Sequence, residues 1–459
     1  MSLQAKQPHV LVISYPAQGH VNPMLQFCKR LVAKGIKTTF ATTKSFSKTV
    51  HIDHNTPITF ETFSDGFDDN GRDQLAPHDI YFTKLREEGS KSLSSLVEKL
   101  DGVNAIIYDG FLPWALDVAK RFKIFAVIFF TQTCAVNNIY YHVNRNLLKI
   151  PLSNSVVSLP GLPKLENWET PSFVHRFGEF PVVGELVFSQ FTDIDQADWV
   201  FFNSFYKLEE EKFTKCSNRD IGLKQDHVKT VVDWMTKLWR VKTIGPTLPS
   251  MYLDKQLLED NNYMINLFKP MSIECMSWLN NKPKGSVVYL SFGSLINHGP
   301  GQMNEIISTL TDGGFSFLWV IKSSEEANVP KEFVNSVSKK GLVVTWCPQL
   351  EVLAHESIGC FVTHCGYNST LEAICSGVPV VGMPQWSDQS TNAKYVEDVW
   401  GVGVRAKPDA NGIVRRQVLD SCIREVMEGE KTLAKEAIGQ GGTSDKNIDE
   451  FVAELKLQS

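Results

Sequence analysis

Two sets of residues in this chain have types and spacing that could do chemistry. The first lies between Trp346 and Gln389 and centres on His364-Cys-Gly-Tyr-Asn-Ser-Thr370, which follows a strand-like run and opens a helix-like one. A helix start has unpaired N–H groups, Gly366 permits close backbone approach, and Asn368 and Ser369 add side-chain donors. Together they make an anion site suited to a diphosphate. Glu372 falls one helical turn further in, where a carboxylate can accept from ribose hydroxyls. Trp346 at a strand end offers a flat face to a base. Asp388-Gln389 pair an acceptor with a mixed donor and acceptor, as sugar hydroxyls require. Each residue also has a plain structural reading: Trp346 as core, Asn368-Ser369 as a helix cap, Asp388 as the cap of a helix running from about Gln389 to Val399.

The second set is His20 and Asp109. An imidazole with an ordinary pKa of about 6.5 accepts a proton at neutral pH. A carboxylate on its far ring nitrogen fixes the tautomer and stabilises the imidazolium. His20 falls in a loop after one strand and Asp109 follows another, so both reach one sheet edge. The plain alternative is that His20 packs or caps its loop.

The elements that must position these groups alternate strand and helix. His9–Tyr15 reads as a buried strand, Pro16–Asn22 as a loop, and Pro23 as the first residue of a helix to about Lys34, closed by Gly35. Strands follow at Ile36–Ala41, Ala105–Tyr108 and Phe125–Phe130, with helices from about Trp114 and Ala135. A second series holds strands at Ser286–Ser291, Phe315–Ile321, Leu342–Trp346, Ile358–Thr363 and Val378–Gly382. Its helices are Gln302–Thr311, Leu350–Ala354 and Ser369–Ser376. Continuous apolar strands between amphipathic helices imply parallel sheets covered on both faces. Two such halves joined near Gly245–Pro249 place a ligand cleft beyond the carboxyl ends of the strands.

At about 150 residues per domain, 459 residues predict two or three domains. A net charge of −5 gives no general attraction to phosphate backbones or anionic membranes, which excludes nucleic acid and membrane as expected partners. Nine scattered cysteines with no C-x-x-C pair fit a reducing compartment rather than a disulfide framework. The most apolar run, Ile124–Phe130, is far short of the about 20 residues a membrane span needs. A cytosolic, cytoplasmic location and a monomer are expected. Asp193-Ile-Asp195 matches the Asp-x-Asp of metal-dependent sugar transferases but lies outside either nucleotide element. Gly401–Ala406 matches G-x-G-x-x-A yet leads into Lys407-Pro408 rather than a helix.

Residues 346–389 resemble the nucleotide-sugar box of plant family 1 UDP-glycosyltransferases. Further matches are Pro16-Ala-Gln-Gly-His-Val-Asn-Pro23, Asp109, Phe129–Thr133, Ile244-Gly-Pro246 and Ser291-Phe-Gly-Ser294. The N-terminal half is most similar to the group L, 74-type glucosyltransferases. The resemblance implies a GT-B fold, an α/β architecture of two facing Rossmann-like parallel-sheet lobes with an interlobe cleft. Its expected organisation is an acceptor lobe at 1–245, a linker at 246–270, a UDP-sugar lobe at 271–435 and a terminal helix at 436–459 returning to the first lobe. Trp346 would stack on uracil with Gln349 and the Cys347 backbone nearby. Glu372 would hold the ribose, and Ser294, His364, Gly366, Asn368 and Ser369 the diphosphate. Thr131, Tyr367, Asp388 and Gln389 would meet the sugar, Gln389 being the residue the family associates with glucose. The implied reaction is inverting O-glucosylation by UDP-glucose, with His20 as base oriented by Asp109 and no cofactor or metal.

Tyr15, Phe111, Trp114, Phe180 and Phe191 are candidates to line the pocket of a hydrophobic acceptor (a steroid, terpenoid, flavonoid or phenol), and each could equally be core. Two features depart from the family besides Tyr367, which stands where Trp is usual. Lys212–Thr230 is an irregular, lysine-rich insertion interrupting a helix-like run from Leu208. Glu428–Lys435 joins two helices abruptly, about 12 residues short, or about 18 Å of helix at 1.5 Å per residue. They leave open a UDP-sugar-binding protein impaired in turnover.

Overall fold

The computed structural model of the chain describes residues 7–52, 56–68, 78–209, 230–254, 260, 263, 265–266, 272–294, 296–428 and 443–458. It divides into two units, Met1–Leu267 with Glu436–Ser459, and Phe268–Lys435. Residues 212–229 and 429–435, which hold nearly all of the two irregular stretches, lie outside the described residues.

The first unit is built on a seven-stranded parallel sheet. Its strands are β1 (His9–Ile13), β2 (Lys37–Thr43), β3 (Thr59–Phe63), β4 (Val103–Asp109), β5 (Phe125–Phe130), β6 (Trp199–Phe202) and β7 (Val241–Thr243). They lie in the order β7-β6-β5-β4-β1-β2-β3. The order runs one way through β1, β2 and β3 and the other way from β4 onward. Helices on the two sides diverge at β1 and β4, and a crevice opens at their carboxyl ends. The connecting helices include α1 (Gln18–Ala33), α2 (His78–Lys99), α3 (Ala115–Phe122), α4 (Cys134–Asn144) and α5 (Pro181–Ser189).

The second unit repeats the plan with β8 (Val287–Ser291), β9 (Ser316–Val320), β10 (Gly341–Val344), β11 (Ile358–Thr363), β12 (Val380–Gly382) and β13 (Gly403–Arg405). The order is β10-β9-β8-β11-β12-β13, again parallel, with the reversal between β8 and β11. Its helices include α6 (Pro300–Asp312), α7 (Gln349–Leu353), α8 (Tyr367–Ser376), α9 (Gln389–Lys394) and α10 (Arg416–Glu428).

The last helix, α11 (Thr443–Gln458), packs into the first unit. Its Ile448, Phe451, Val452 and Leu455 join Val10, Val12, Trp199 and Phe201 in one core, with the Phe451 ring 5.0 Å from that of Phe201. Arg240 and Lys242 reach Glu454 and Glu450 at 2.8 and 2.6 Å, and Lys34 pairs with Asp445 and Asp449.

Several details differ from the sequence reading. Helix α1 begins at Gln18, so Pro23 sits inside it and His20 is in its first turn rather than in a loop. Pro23, the sixth residue of the helix, lacks the N–H that would bond the Gly19 carbonyl, yet the turn before it is helical. There the His20 and Val21 N–H groups bond the Ala17 carbonyl. Leu208-Glu209 is a turn, not a helix, because Glu209 folds inward to accept from the Ser204 hydroxyl and the Cys134 N–H. Residues 395–399 continue α9 as a π-helical turn. Residues 246–254 belong to the first unit, where the Thr247 N–H bonds Asn203. Strand β3 and helix α2 escaped the sequence reading. Among the described residues no helix is long and apolar enough to cross a membrane.

Candidate active site

In the first unit, His20 and Asp109 meet at the crevice between β1 and β4. Strand β4 ends on Asp109, whose carboxylate is buried at 1% exposure, and α1 starts just after β1. Asp109 Oδ1 accepts the Phe111 N–H at 2.9 Å, which fixes the carboxylate. Its Oδ2 lies 2.8 Å from His20 Nδ1. A nitrogen facing a carboxylate carries the proton, so Nδ1–H donates and Nε2 is left as the basic atom. The Thr131 hydroxyl, just after β5, is 3.4 Å from the same Nδ1, too long for a strong bond.

Two rings enclose the imidazole, Tyr15 at 5.2 Å and Phe111 at 4.7 Å between centroids. Of the five aromatic candidates, only these two reach His20. Trp114 packs edge-on against Phe63, 6.2 Å away, and so close to Gly89 of α2 that a Cβ there would meet it at 2.8 Å. Phe191 is fully buried, stacked 5.3 Å from Phe130. It is core. Phe180 lines a cavity of about 430 Å³ with Val143, Phe173, Phe177 and Phe188. That cavity adjoins the last turn of α4.

In the second unit the phosphate-binding candidates gather at the crevice between β8 and β11. Cys365 has a left-handed φ of 62°, which turns the chain from β11 into α8. Such a conformation costs a non-glycine residue on the order of 1–2 kcal/mol and persists where its surroundings hold it. Asn392 does so, its amide donating to the Cys365 carbonyl at 3.0 Å. The N-cap is Gly366, so the first turn of α8 presents its N–H groups beside Asn368 and Ser369.

His364 is packed between Gly293 and Gly366. A Cβ on Gly293 (φ +70°) would meet its ring at 2.8 Å, and one on Gly366 would collide with Nε2. Enclosure pushes the imidazole down to about 4, with the neighbouring His298 and Lys322 adding to the effect. At neutral pH His364 is an uncharged hydrogen-bonding ring. Ser294 is exposed on the loop after β8.

A polar relay ties the ribose and base candidates together. Gln349 Nε2 donates to Glu372 Oε2 at 2.6 Å and to Ser369 Oγ at 2.9 Å, while its oxygen accepts from the Tyr289 hydroxyl at 3.1 Å. The buried Cys347 side chain touches the same hydroxyl at 3.2 Å, and burial pushes its thiol well up. Trp346 is half-buried just before Cys347, and Tyr367 is buried in the first turn of α8. Gln389 turns its oxygen back to accept from the Gln385 and Trp386 N–H groups at 2.9 and 3.1 Å. Asp388 Oδ2 accepts from Asn392 at 2.6 Å. Asp388 makes no side-chain cap bond to α9, so the cap reading of this residue does not hold.

Sequence reasoning missed the supporting roles of Tyr289, Asn392 and Gly293: Gly293 lies inside the Ser291-Phe-Gly-Ser294 match, Asn392 one helical turn after Asp388, and Tyr289 reaches Gln349 from another strand with no local signal. The Asp-x-Asp match is structural: Asp195 accepts from the Trp239 indole at 2.8 Å and pairs with Arg145. Among the described residues no three His, Cys, Asp or Glu side chains cluster as a metal site would. Gly403–Arg405 is the edge strand β13, not a phosphate loop.

The family profile described as UDP-glucoronosyl and UDP-glucosyl transferase matches residues 9–437. A mogroside I-E synthase of Siraitia grosvenorii is 43% identical over 98% of each chain. A flavonol 7-O-beta-glucosyltransferase of Arabidopsis thaliana is 41% identical over 99% of this chain and 100% of its own. Among solved structures, Os79 from O. sativa in complex with UDP superposes with a TM-score of 0.85 at 36% identity, covering 97% of this chain and 100% of that one. The neighbours have the GT-B fold, as does this chain. With two sheets each reversing at a crevice, and a match across nearly its whole length, the chain belongs to the UDP-glucoronosyl and UDP-glucosyl transferase family and is a UDP-glycosyltransferase.

Proposed function

We propose that the protein transfers glucose from UDP-glucose to a hydroxyl of a small hydrophobic acceptor, with inversion, and that His20 is the general base. The observation that carries this reading is the 2.8 Å bond between His20 Nδ1 and the buried Asp109 carboxylate, which commits one ring nitrogen and leaves Nε2 basic. The acceptor O–H gives its proton to Nε2 as its oxygen attacks the anomeric carbon. The new carbon–oxygen bond forms as the bond to the β-phosphate oxygen breaks, and UDP leaves with that electron pair. The imidazolium produced is stabilised by Asp109.

In this reading Trp346 stacks on uracil beside the Cys347 backbone, and Glu372, steadied by Gln349, accepts from the ribose. The diphosphate takes the first-turn N–H groups of α8 with Asn368, Ser369, Gly366, His364 and Ser294. These fixed donors meet part of the charge on the departing UDP, and the proposed mechanism calls on no metal or cofactor. Thr131, Tyr367, Asp388 and Gln389 serve the glucose, Gln389 through its amide nitrogen. Tyr15 and Phe111 form the apolar wall next to the attacking oxygen. A steroid, terpenoid, flavonoid or phenol suits that wall, and the names of the two relatives, a mogroside I-E synthase and a flavonol 7-O-beta-glucosyltransferase, support the same range.

The test supplies purified protein with UDP-glucose and pooled acceptors of these classes, scoring masses that gain one hexose. NMR of the product then gives the anomeric configuration. A β-glucoside is expected. An α-glucoside would refute single displacement, and hydrolysis without transfer would refute the acceptor reading.

A further inference from the structure

The groups placed on the diphosphate are all uncharged. Asn368, Ser369 and Ser294 are neutral side chains, and the enclosed His364 is neutral at working pH. A helix N-terminus contributes only about half a positive charge. A diphosphate leaving group needs more, and the second unit holds a cation in the right neighbourhood.

Lys322 lies just beyond the carboxyl end of β9, beside β8. Its ammonium donates to Asn297 Oδ1 at 2.6 Å and lies 3.5 Å from the carbonyl of Ser294, on the loop that follows β8. The field of the ammonium is felt at His364 and at His298, both of which it helps to keep unprotonated. Glu325 helps to fix the arrangement, accepting the His298 N–H at 2.6 Å and standing 3.9 Å from the ammonium. The Lys322 side chain keeps 18% of its surface in solvent, so it is not sealed away from a ligand on Ser294. A cation at the surface edge of an enclosed pocket interacts with an anion several-fold more strongly than it would in open water.

We propose that Lys322 is the cation of the donor site, holding the diphosphate of UDP-glucose and the charge that develops on UDP as it leaves. This inference rests on the reading of Ser294 and His364 as diphosphate residues. The plain alternative is that Lys322 is only a staple for the 292–298 loop through Asn297. Charge and staple separate by substitution: Lys322→Gln can still donate to Asn297 without the charge, whereas Lys322→Arg keeps the charge.

The experiment measures affinities of UDP and, by competition, of uridine for the full chain and these two variants, with urea midpoints as a check on folding. Lys322→Gln is expected to weaken UDP at least tenfold and uridine less than twofold. Lys322→Arg should stay within about threefold of the parent for both. Salt should weaken UDP binding less in Lys322→Gln than in the parent, since one ionic contact is gone. Equal losses for UDP and uridine would reduce Lys322 to a staple, and an unchanged UDP affinity would remove it from the site. A parent protein that binds UDP no tighter than uridine would overturn the diphosphate site itself, a failure distinct from that of Lys322.

Discussion

At the scale of single residues, the reading depends on which nitrogens and oxygens are already committed. Asp109 spends one oxygen on the Phe111 N–H and the other on His20, so it has one orientation. Asp109→Asn keeps the shape but removes the charge and lets the wrong tautomer compete, and kcat is expected to fall about 10²–10⁴-fold with UDP affinity unchanged. Steady-state kinetics beside UDP titration checks this. His364 and His298 make a second claim at this scale. Both are pushed down to about 4, His298 chiefly by burial against Phe292. A folded-state pKa below the unfolded value of about 6.5 means that the unfolded chain binds more protons between those limits. Stability therefore holds above pH 6.5 and is lost as pH falls toward 4, by on the order of 3 kcal/mol for each histidine. Urea midpoints across that range should fall less steeply in His298→Leu than in the parent. Parallel slopes would mean that His298 is not held neutral by the fold.

At the scale of elements, the proposed donor site depends on two close approaches that only glycine permits. Gly293, at φ +70°, and Gly366 both lie against the His364 ring. Gly366→Ala meets no φ penalty, since φ is −58°, so beyond a modest loss of N-cap preference its effect comes through the displaced imidazole. UDP affinity is expected to drop about tenfold or more while the thermal midpoint moves by only a few degrees. A large loss of stability with normal UDP affinity would contradict the packing described. These contacts mark where local sequence stops being informative. The stretch 346–389 was legible because its residue types and spacing crowd into one strand–turn–helix, and the crevice positions of His20 and Asp109 followed from alternating strands and helices. The Gly293–His364 contact joins loops after two different strands, and only the sheet order shows that β8 and β11 are neighbours. The start of α1 was hidden by Pro23, whose usual place at a helix start concealed the turn before it. Trp114 and Phe191 were ambiguous for a simpler reason, because an aromatic side chain in a sequence looks the same in a core as in a pocket.

At the scale of the whole molecule, the first unit is closed by the far end of the chain. Helix α11 adds Phe451 to a cluster with Trp199 and Phe201, and its acids meet Lys34, Arg240 and Lys242. The surface ion pairs are worth little singly, so the apolar face carries the attachment. Phe451→Ala is expected to cost the first unit about 3–5 kcal/mol, read as a lower unfolding midpoint. A change under about 1 kcal/mol would mean that α11 is dispensable. The proposed reaction would draw its base from the first unit and its donor site from the second, and a single substitution separates the two roles. The decisive measurement is a paired one on His20→Ala: the rate of hexose transfer from UDP-glucose and the affinity for UDP. The account predicts transfer reduced by about 10²–10⁴-fold with UDP binding within twofold of the parent. Transfer that survives the substitution, or that falls only in step with UDP affinity, would contradict it.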